Sequence, residues 1–513
     1  MHLQLKSNKS ISLVFLGIAL LFQGGCKQNQ LVYQAGIRED ILHNKNSFFY
    51  LDVARYPKHD KNLPVGIFDS GTGGLTILDA IVTLDKYDNE THEFNPEGDG
   101  KPDFGSESFI YLGDQANMPY GNYPAENNTA LLKEHIFKDV QFLLGNRYYL
   151  TRNAPHYSSD KEHVKAIVIA CNTATAFGKK DIEAFMDSSG LGMQVIGVID
   201  AGVKAALQKL DPAEKASVAI MATAGTVASN GYVNTMHDQM KQSEFQGDID
   251  IYQQAGIGLA GAIDGSPEFI SRDATAPREE YKGPSAKNPA APLDMSILKR
   301  YGFDWAENHM LFEGSAGSPE KVQINSIENY ISYHLVTLLE KIRKNSEAKP
   351  LRVIILGCTH YPFYQDFFQE KLRKLYDYRE NGRYIYRPVM FPKIEIVDPA
   401  VFTAEELYIY LTTRKMSRDG AHLKESEFYI SVPNTSNPEI KTDAAGGFTY
   451  DYKYGRKAGY IQEYVRRVPF TRVNVPEDIL HRFRDIIPVT YGLMEHFDHE
   501  NPKTSSIDEK DKI

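Results

Sequence analysis

The chain has 513 residues, 42% of them hydrophobic and 24% charged, enough to bury sizeable cores over roughly two to four domains of ~150 residues each. Its formal charge is −10 and no basic block stands out, which argues against nucleic acid as a partner, because phosphate binding needs clustered Lys and Arg. The three cysteines, Cys26, Cys171 and Cys358, are too few for a disulfide scaffold or for a zinc site built mainly from thiolates.

In chain order, Lys6 and Lys9 open a positive start, Ile11–Phe22 is an unbroken apolar run, and Gly24-Gly25 precede Cys26. Twelve apolar residues are too short to span a bilayer, so the segment reads as an export signal. Its Gly-Gly-Cys ending resembles a bacterial lipoprotein signal, although Gln23 stands where that pattern prefers Leu. The resemblance implies acylation of Cys26, cleavage before it, and a chain anchored in the cell envelope through lipid. Residues 27–62 read as a tether with peripheral structure.

From Pro64 short Val/Ile-rich runs alternate with longer helical stretches. The runs are Val65–Phe68, Phe109–Leu112, Ala166–Ala170, Val195–Ile199, Val218–Met221, Val353–Leu356 and Ile394–Val397. Continuous apolar strands separated by helices predict α/β architecture with largely parallel sheets buried on both faces. A quasi-repeat divides the chain. Val65–Thr72 is echoed by Val218–Thr226, and each half later offers an apolar run ending in cysteine, Cys171-Asn-Thr and Cys358-Thr-His. Two pseudo-symmetric domains follow, one from residues 63–194 plus 394–500 and the other from 195–393, with an insertion at about 265–323 and a disordered tail at 501–513. Tyr87–Ser108 and Ser431–Asp451 also read as additions. In the first of these, Asn95, Glu97, Asp99 and Gly100 space like the start of a calcium loop. Ser106 stands where that loop needs an acid, so a solvated turn is the better reading. The 31 tyrosines show no stacking platform along the sequence.

Ligands in parallel sheets bind beyond the carboxyl ends of strands, which is where both cysteines fall. Two opposed thiols suit removal of a proton from one face of a carbon and its return to the other, one acting as base while the other acts as acid. No cofactor is called for in such a scheme. Alone, Ser70-Gly-Thr-Gly-Gly would be a weak phosphate-loop hint without its Lys, and His360 a packed core histidine.

Taken together, GIFDSGTGGLTIL (Gly66–Leu78), YLGDQANMPYG (Tyr111–Gly121), IACNTATA (Ile169–Ala176), VIGVIDAG (Val195–Gly202), ATAGTVASNGY (Ala222–Tyr232), LGCTHYP (Leu356–Pro362) and VDPA (Val397–Ala400) resemble, in order, the glutamate racemases of the aspartate/glutamate racemase superfamily. The resemblance implies a cofactor-independent racemase with its site in the cleft between the domains, acting on a small acidic amino acid, with a second copy of the chain as a conceivable partner. It implies that Cys171 and Cys358 carry the proton on opposite faces, with Asp69, His360 and Asp264 in support. Substrate contacts would come from Asp69, Ser70, Tyr120, Gly121, Asn172, Thr173, Thr359 and His360. The chain departs from the family where Gly256-Ile257 replaces Cys-Pro and where Asp264 replaces a glutamate, which bears on the tuning of one thiol. An aspartate or other amino-acid racemase, and an envelope protein that binds a ligand without turning it over, are the alternative readings.

Overall fold

The computed structural model describes residues 36–263, 265–315 and 318–513. The export signal with Cys26, and Asp264, lie outside the described residues. The strands run β1 (Val65–Asp69), β2 (Phe109–Gly113), β3 (Ala166–Ile169), β4 (Gln194–Gly197), β5 (Lys215–Ala222), β6 (Asp248–Ala255), β7 (Met310–Ser315), β8 (Ser318–Ile324), β9 (Leu351–Gly357), β10 (Arg379–Glu380), β11 (Arg383–Tyr384), β12 (Met390–Val397), β13 (Glu427–Pro433) and β14 (Val465–Pro469).

Two sheets organise the chain. The first has the order β14-β13-β2-β1-β3-β4 and is parallel except for β14, which runs antiparallel to β13. The second, β12-β9-β5-β6, is parallel throughout. β1, β2 and β3 are buried at every position, as expected of strands covered on both faces by crossover helices. The fold is therefore mixed α/β with mostly parallel sheets. Within each sheet, the strand leading to a cysteine lies beside the strand opening that half of the repeat: β3 beside β1, β9 beside β5.

The helix Asn172–Ser188 shows how local sequence fixes the frame. It presents Ala174, Gly178, Ile182 and Phe185 to the core, one helical face. Gly178 lets it approach the helix Thr129–Leu144, because an added Cβ would meet Ile136 at 2.8 Å. Left-handed Gly190 (φ 69°) follows its end.

Several expectations need correction. Met390–Val397 pairs with β9 in the second sheet, so the chain returns to the first sheet after Val397 rather than at about 394. β4 lies in the first sheet and ends at Gly197, where the helix Val198–Gln208 takes over residues expected to be strand. The apolar pattern does not predict β13 and β14; β14 hides Arg466 and Arg467, whose charges break that pattern. Arg466 donates to the Arg152 and Ala154 carbonyls, and Arg467 pairs with Asp139 at 3.2 Å. Residues 36–62 are packed rather than tethering: Ile37, Ile41, Phe49, Leu51 and Tyr56 join the core of the first sheet, each such burial contributing about 1.5–3 kcal/mol for the aliphatic side chains. Residues 501–513 are ordered as well. Thr504 and Ile513 are buried, and the Ile513 amide donates to Asp498 at 2.9 Å.

Candidate active site

Asp69 ends β1, and its carboxylate accepts the amides of Gly71 (3.3 Å) and Gly74 (2.9 Å), which folds the Ser70–Gly74 turn around it. Burial pushes the Asp69 carboxyl up, and these amides with the Cys171 thiol hold it down. Cys171 lies beside it, one residue past Ala170, whose amide bonds to the Phe68 carbonyl of β1. Cys171 is also the N-cap of the helix Asn172–Ser188, with Sγ 3.4 Å from the Ala174 amide. Two influences oppose one another there. Burial and the Asp69 charge disfavour the thiolate, while the helix N-terminus and Ser70 favour it; burial wins, and the thiol is pushed up to about 12.

In the second sheet, Cys358 follows β9 and sits next to the turn after β5, where Thr223 caps the short helix Ala224–Ser229 through the Thr226 amide. Cys358 Sγ is 3.6 Å from His360 Nδ1, which also lies 3.4 Å from Thr359 Oγ1. The buried Tyr361 hydroxyl reaches the Gly256 carbonyl at 3.4 Å, and burial, then Cys358, hold it far above the usual phenol range, so it stays a donor. This explains one departure from the family pattern. A Cβ at position 256 would lie 2.1 Å from the Tyr361 hydroxyl, so the space of a cysteine side chain is already taken.

The two halves meet at glycines. A Cβ on Gly73 would lie 2.9 Å from Thr359 Oγ1, 3.5 Å from His360 and 3.6 Å from Asp69 Oδ2, so the turn beside Cys171 touches the turn beside Cys358. Gly121 and Gly225 abut in the same way: a Cβ on Gly225 would sit 2.6 Å from the Gly121 Cα. A third link joins the Tyr232 hydroxyl to Asn172 Oδ1 at 2.9 Å. Between the halves a cavity of about 210 Å³ is lined by Cys358, Thr359, Asn172, Asp398 and Asp79 among others. Cys171 is adjacent to the lining Asn172 but is not itself in the lining. Both cysteines are free thiols and almost fully buried.

Most of the expected site residues are thus brought to one seam: Asp69, Ser70 and Cys171 from one side, Cys358, Thr359 and His360 from the other, with Gly121 and Asn172 in the contacts between. Thr173 is buried in the first turn of its helix. Tyr120 is placed differently from the expectation. Its hydroxyl lies 2.6 Å from both Asp114 and Asp139, and one hydroxyl proton cannot serve two carboxylates. Burial, with the Asp114 charge, holds the Asp139 carboxyl far above its usual range. The Tyr120 hydroxyl is therefore held between Asp114 and Asp139, the latter also paired with Arg467. With its hydroxyl so committed, position 120 can offer a ligand only backbone. The network continues outward: Asn117 Nδ2 donates to Asp114, and Arg456 Nη2 donates to Asn117 Oδ1 at 2.9 Å.

Three residues without an expected role join the seam: Tyr232, Tyr361 and Asp398. Each lies inside a quoted motif, which is the signal the sequence offers for them. Asp398 caps the helix Pro399–Thr413 through the Ala400 amide at 2.9 Å, and burial pushes it up to about 6.

No family model matches the chain. It is 29% identical over 390 residues to a glutamate racemase of Lactobacillus acidophilus, an alignment covering 76% of this chain and 94% of that protein. It is 25% identical over 384 residues to glutamate racemase 1 of Caldanaerobacter subterraneus subsp. tengcongensis, covering 73% and 93% respectively. These similarities support an isomerase of the amino-acid racemase kind. Among solved structures, glutamate racemase isoform RacE1 from Bacillus anthracis overlays with a TM-score of 0.41 at 20% identity, covering 72% of this chain and 88% of that one. The racemase from Francisella tularensis, in complex with D-glutamate, gives 0.40 at 19%, covering 77% and 95%.

Proposed function

We propose that the chain interconverts the L and D forms of glutamate by proton transfer between Cys171 and Cys358. The observation that carries this reading is the meeting at Gly73 of the turn beside Cys171 with the turn that carries Cys358, with Asp69 beside one thiol and His360 beside the other. In the forward sense one thiolate removes the α-proton, leaving a carbanion at Cα, and the opposite thiol gives its own proton to the other face. The thiolate and thiol have then exchanged places, so return in the opposite direction needs no outside proton. His360 is placed to hold the Cys358 proton, and Asp69 to orient Cys171. The Thr72 and Gly73 backbone amides, the Asn172 amide and the Thr359 hydroxyl supply donors for the substrate carboxylates. By family resemblance Cys171 serves the D-enantiomer and Cys358 the L-enantiomer, with Asp264 supporting the latter.

Incubation of each glutamate enantiomer in deuterated water tests the reading. Loss of the α-hydrogen with loss of optical rotation is expected, and Cys171→Ser or Cys358→Ser should lower the rate by about 10²–10⁴-fold. Absence of exchange from glutamate and from aspartate would overturn it in favour of a binding protein.

We further propose that Cys26 is acylated and anchors the chain in the envelope, residues 27–36 alone separating it from buried Ile37. Metabolic labelling with a tagged fatty acid, lost in Cys26→Ser, is the expected result; a soluble, unlabelled wild-type chain would sink it.

A further inference from the structure

The segment 434–464, far from the thiols in sequence, builds a second concavity. A pocket of about 480 Å³ is lined by Tyr452, Tyr460, Tyr464, Arg456, Lys457 and Glu439. The aromatic grouping escapes a linear reading because these tyrosines converge only when the chain turns at Gly455 and Gly459. Arg456 is 8% exposed, and its guanidinium carbon sits 4.9 Å from the Phe448 ring centre, 4.8 Å from Tyr452 and 4.6 Å from Tyr464. Only Nη2 finds acceptors, Asn117 Oδ1 and the neutral His135 ring, while Nε and Nη1 have none. Burial pushes the Tyr452 hydroxyl up and the same guanidinium, against which it lies, holds it down; it has no other partner among the described residues. Buried donors are ordinarily answered, so unanswered ones converging on a pocket floor call for an acceptor. Glu439 lines the same pocket, where its two oxygens take the Tyr460 hydroxyl (3.3 Å) and the Gln462 amide (3.0 Å). Lys457 adds a second positive charge at the rim.

We propose that this pocket is a second ligand site, taking a small carboxylate with a planar body. The oxygens would meet Arg456, Lys457 and the Tyr452 hydroxyl, and the body would lie on the tyrosine rings. Positive charge beside aromatic faces suits that combination, since charged hydrogen bonds fix the anion and ring stacking favours a flat partner over a compact one. The inference does not depend on turnover at the thiols.

Calorimetric titration of the full chain with benzoate tests it, with L-glutamate present throughout to occupy the thiol seam. Acetate supplies the charge without the planar body, and benzamide the body without the charge. Saturable benzoate binding is expected, at least about tenfold tighter than acetate or benzamide. Lys457→Ala and Tyr452→Phe should each weaken it by about three- to tenfold with the melting temperature unchanged, and Cys358→Ser should leave it as it is. Three results would overturn the proposal: no saturable benzoate binding, benzamide binding as tightly as benzoate, or benzoate affinity indifferent to both pocket variants.

Discussion

At Cys171 two opposing influences act on one sulfur, and which of them prevails is measurable. With the thiol pushed up to about 12, it is the proton-bearing partner in the free protein near neutrality. Only the thiolate reacts with alkylating agents, and below that value its fraction grows about tenfold per pH unit. Labelling of Cys171 by iodoacetamide, followed by mass spectrometry of the peptides, should therefore steepen by about that factor for each unit between roughly pH 7 and pH 9. A flat profile would show that the helix N-terminus, not burial, governs the sulfur. Both thiols are legible in the sequence because Cys-Asn-Thr and Cys-Thr-His each follow an apolar strand. Tyr361 and Tyr232 are not, since a tyrosine in a motif looks the same whether its ring fills a core or its hydroxyl reaches a neighbouring loop.

Gly121 and Gly225 show what elements can do that single residues cannot. Gly121 lies in a turn of one half and Gly225 in the first turn of the helix Ala224–Ser229 of the other, and backbone meets backbone with no flexible side chain to yield. Gly225→Ala should hold the two turns apart while both sheets stay intact. Displacement of this kind by ~1 Å is worth on the order of 100-fold in rate, so kcat/KM for glutamate is expected to fall by about that much, with a far-ultraviolet circular dichroism spectrum like the parent's. Full activity in the variant would mean that the turns separate freely during turnover. Most of the parallel strands are readable because apolar residues run through them; β6 and β13, which polar residues interrupt, are not. β14 is not readable either: its Arg466 and Arg467 find their hydrogen-bond partners among residues 139–154, over 300 positions away, which no local pattern carries. Likewise the start of the helix at Val198 reads as strand, since apolar residues continue across the junction from β4.

Across the whole molecule, the last residues close back on the first sheet. Asp498 is buried beneath them, and burial holds its carboxyl up at about 7 against 3.8 for the ordinary group. The folded chain keeps a proton that the unfolded chain releases. Stability from this group is complete below about pH 4 and is lost as pH rises through about 7. Asp498→Asn retains an oxygen for the Ile513 amide and removes the ionisation, so it should raise the melting temperature at about pH 8 and leave it unchanged at about pH 4. An equal shift at both values would point to packing instead. The terminal segment looks disordered in sequence because it is polar and rich in turn formers, yet Thr504 and Ile513 supply enough buried contact to order it.

The hydrogen-bonded path from Arg456 through Asn117 and Asp114 to Tyr120 has a consequence for any attempt to trim this chain. A version cut back to the motif-bearing stretch, ending near Pro433, would look complete by its signature residues. It would nevertheless strand a buried acid pair beneath the Tyr120-Gly121 turn without the cation that faces it, so the late arm of the polypeptide is a scaffold for the early one rather than an ornament.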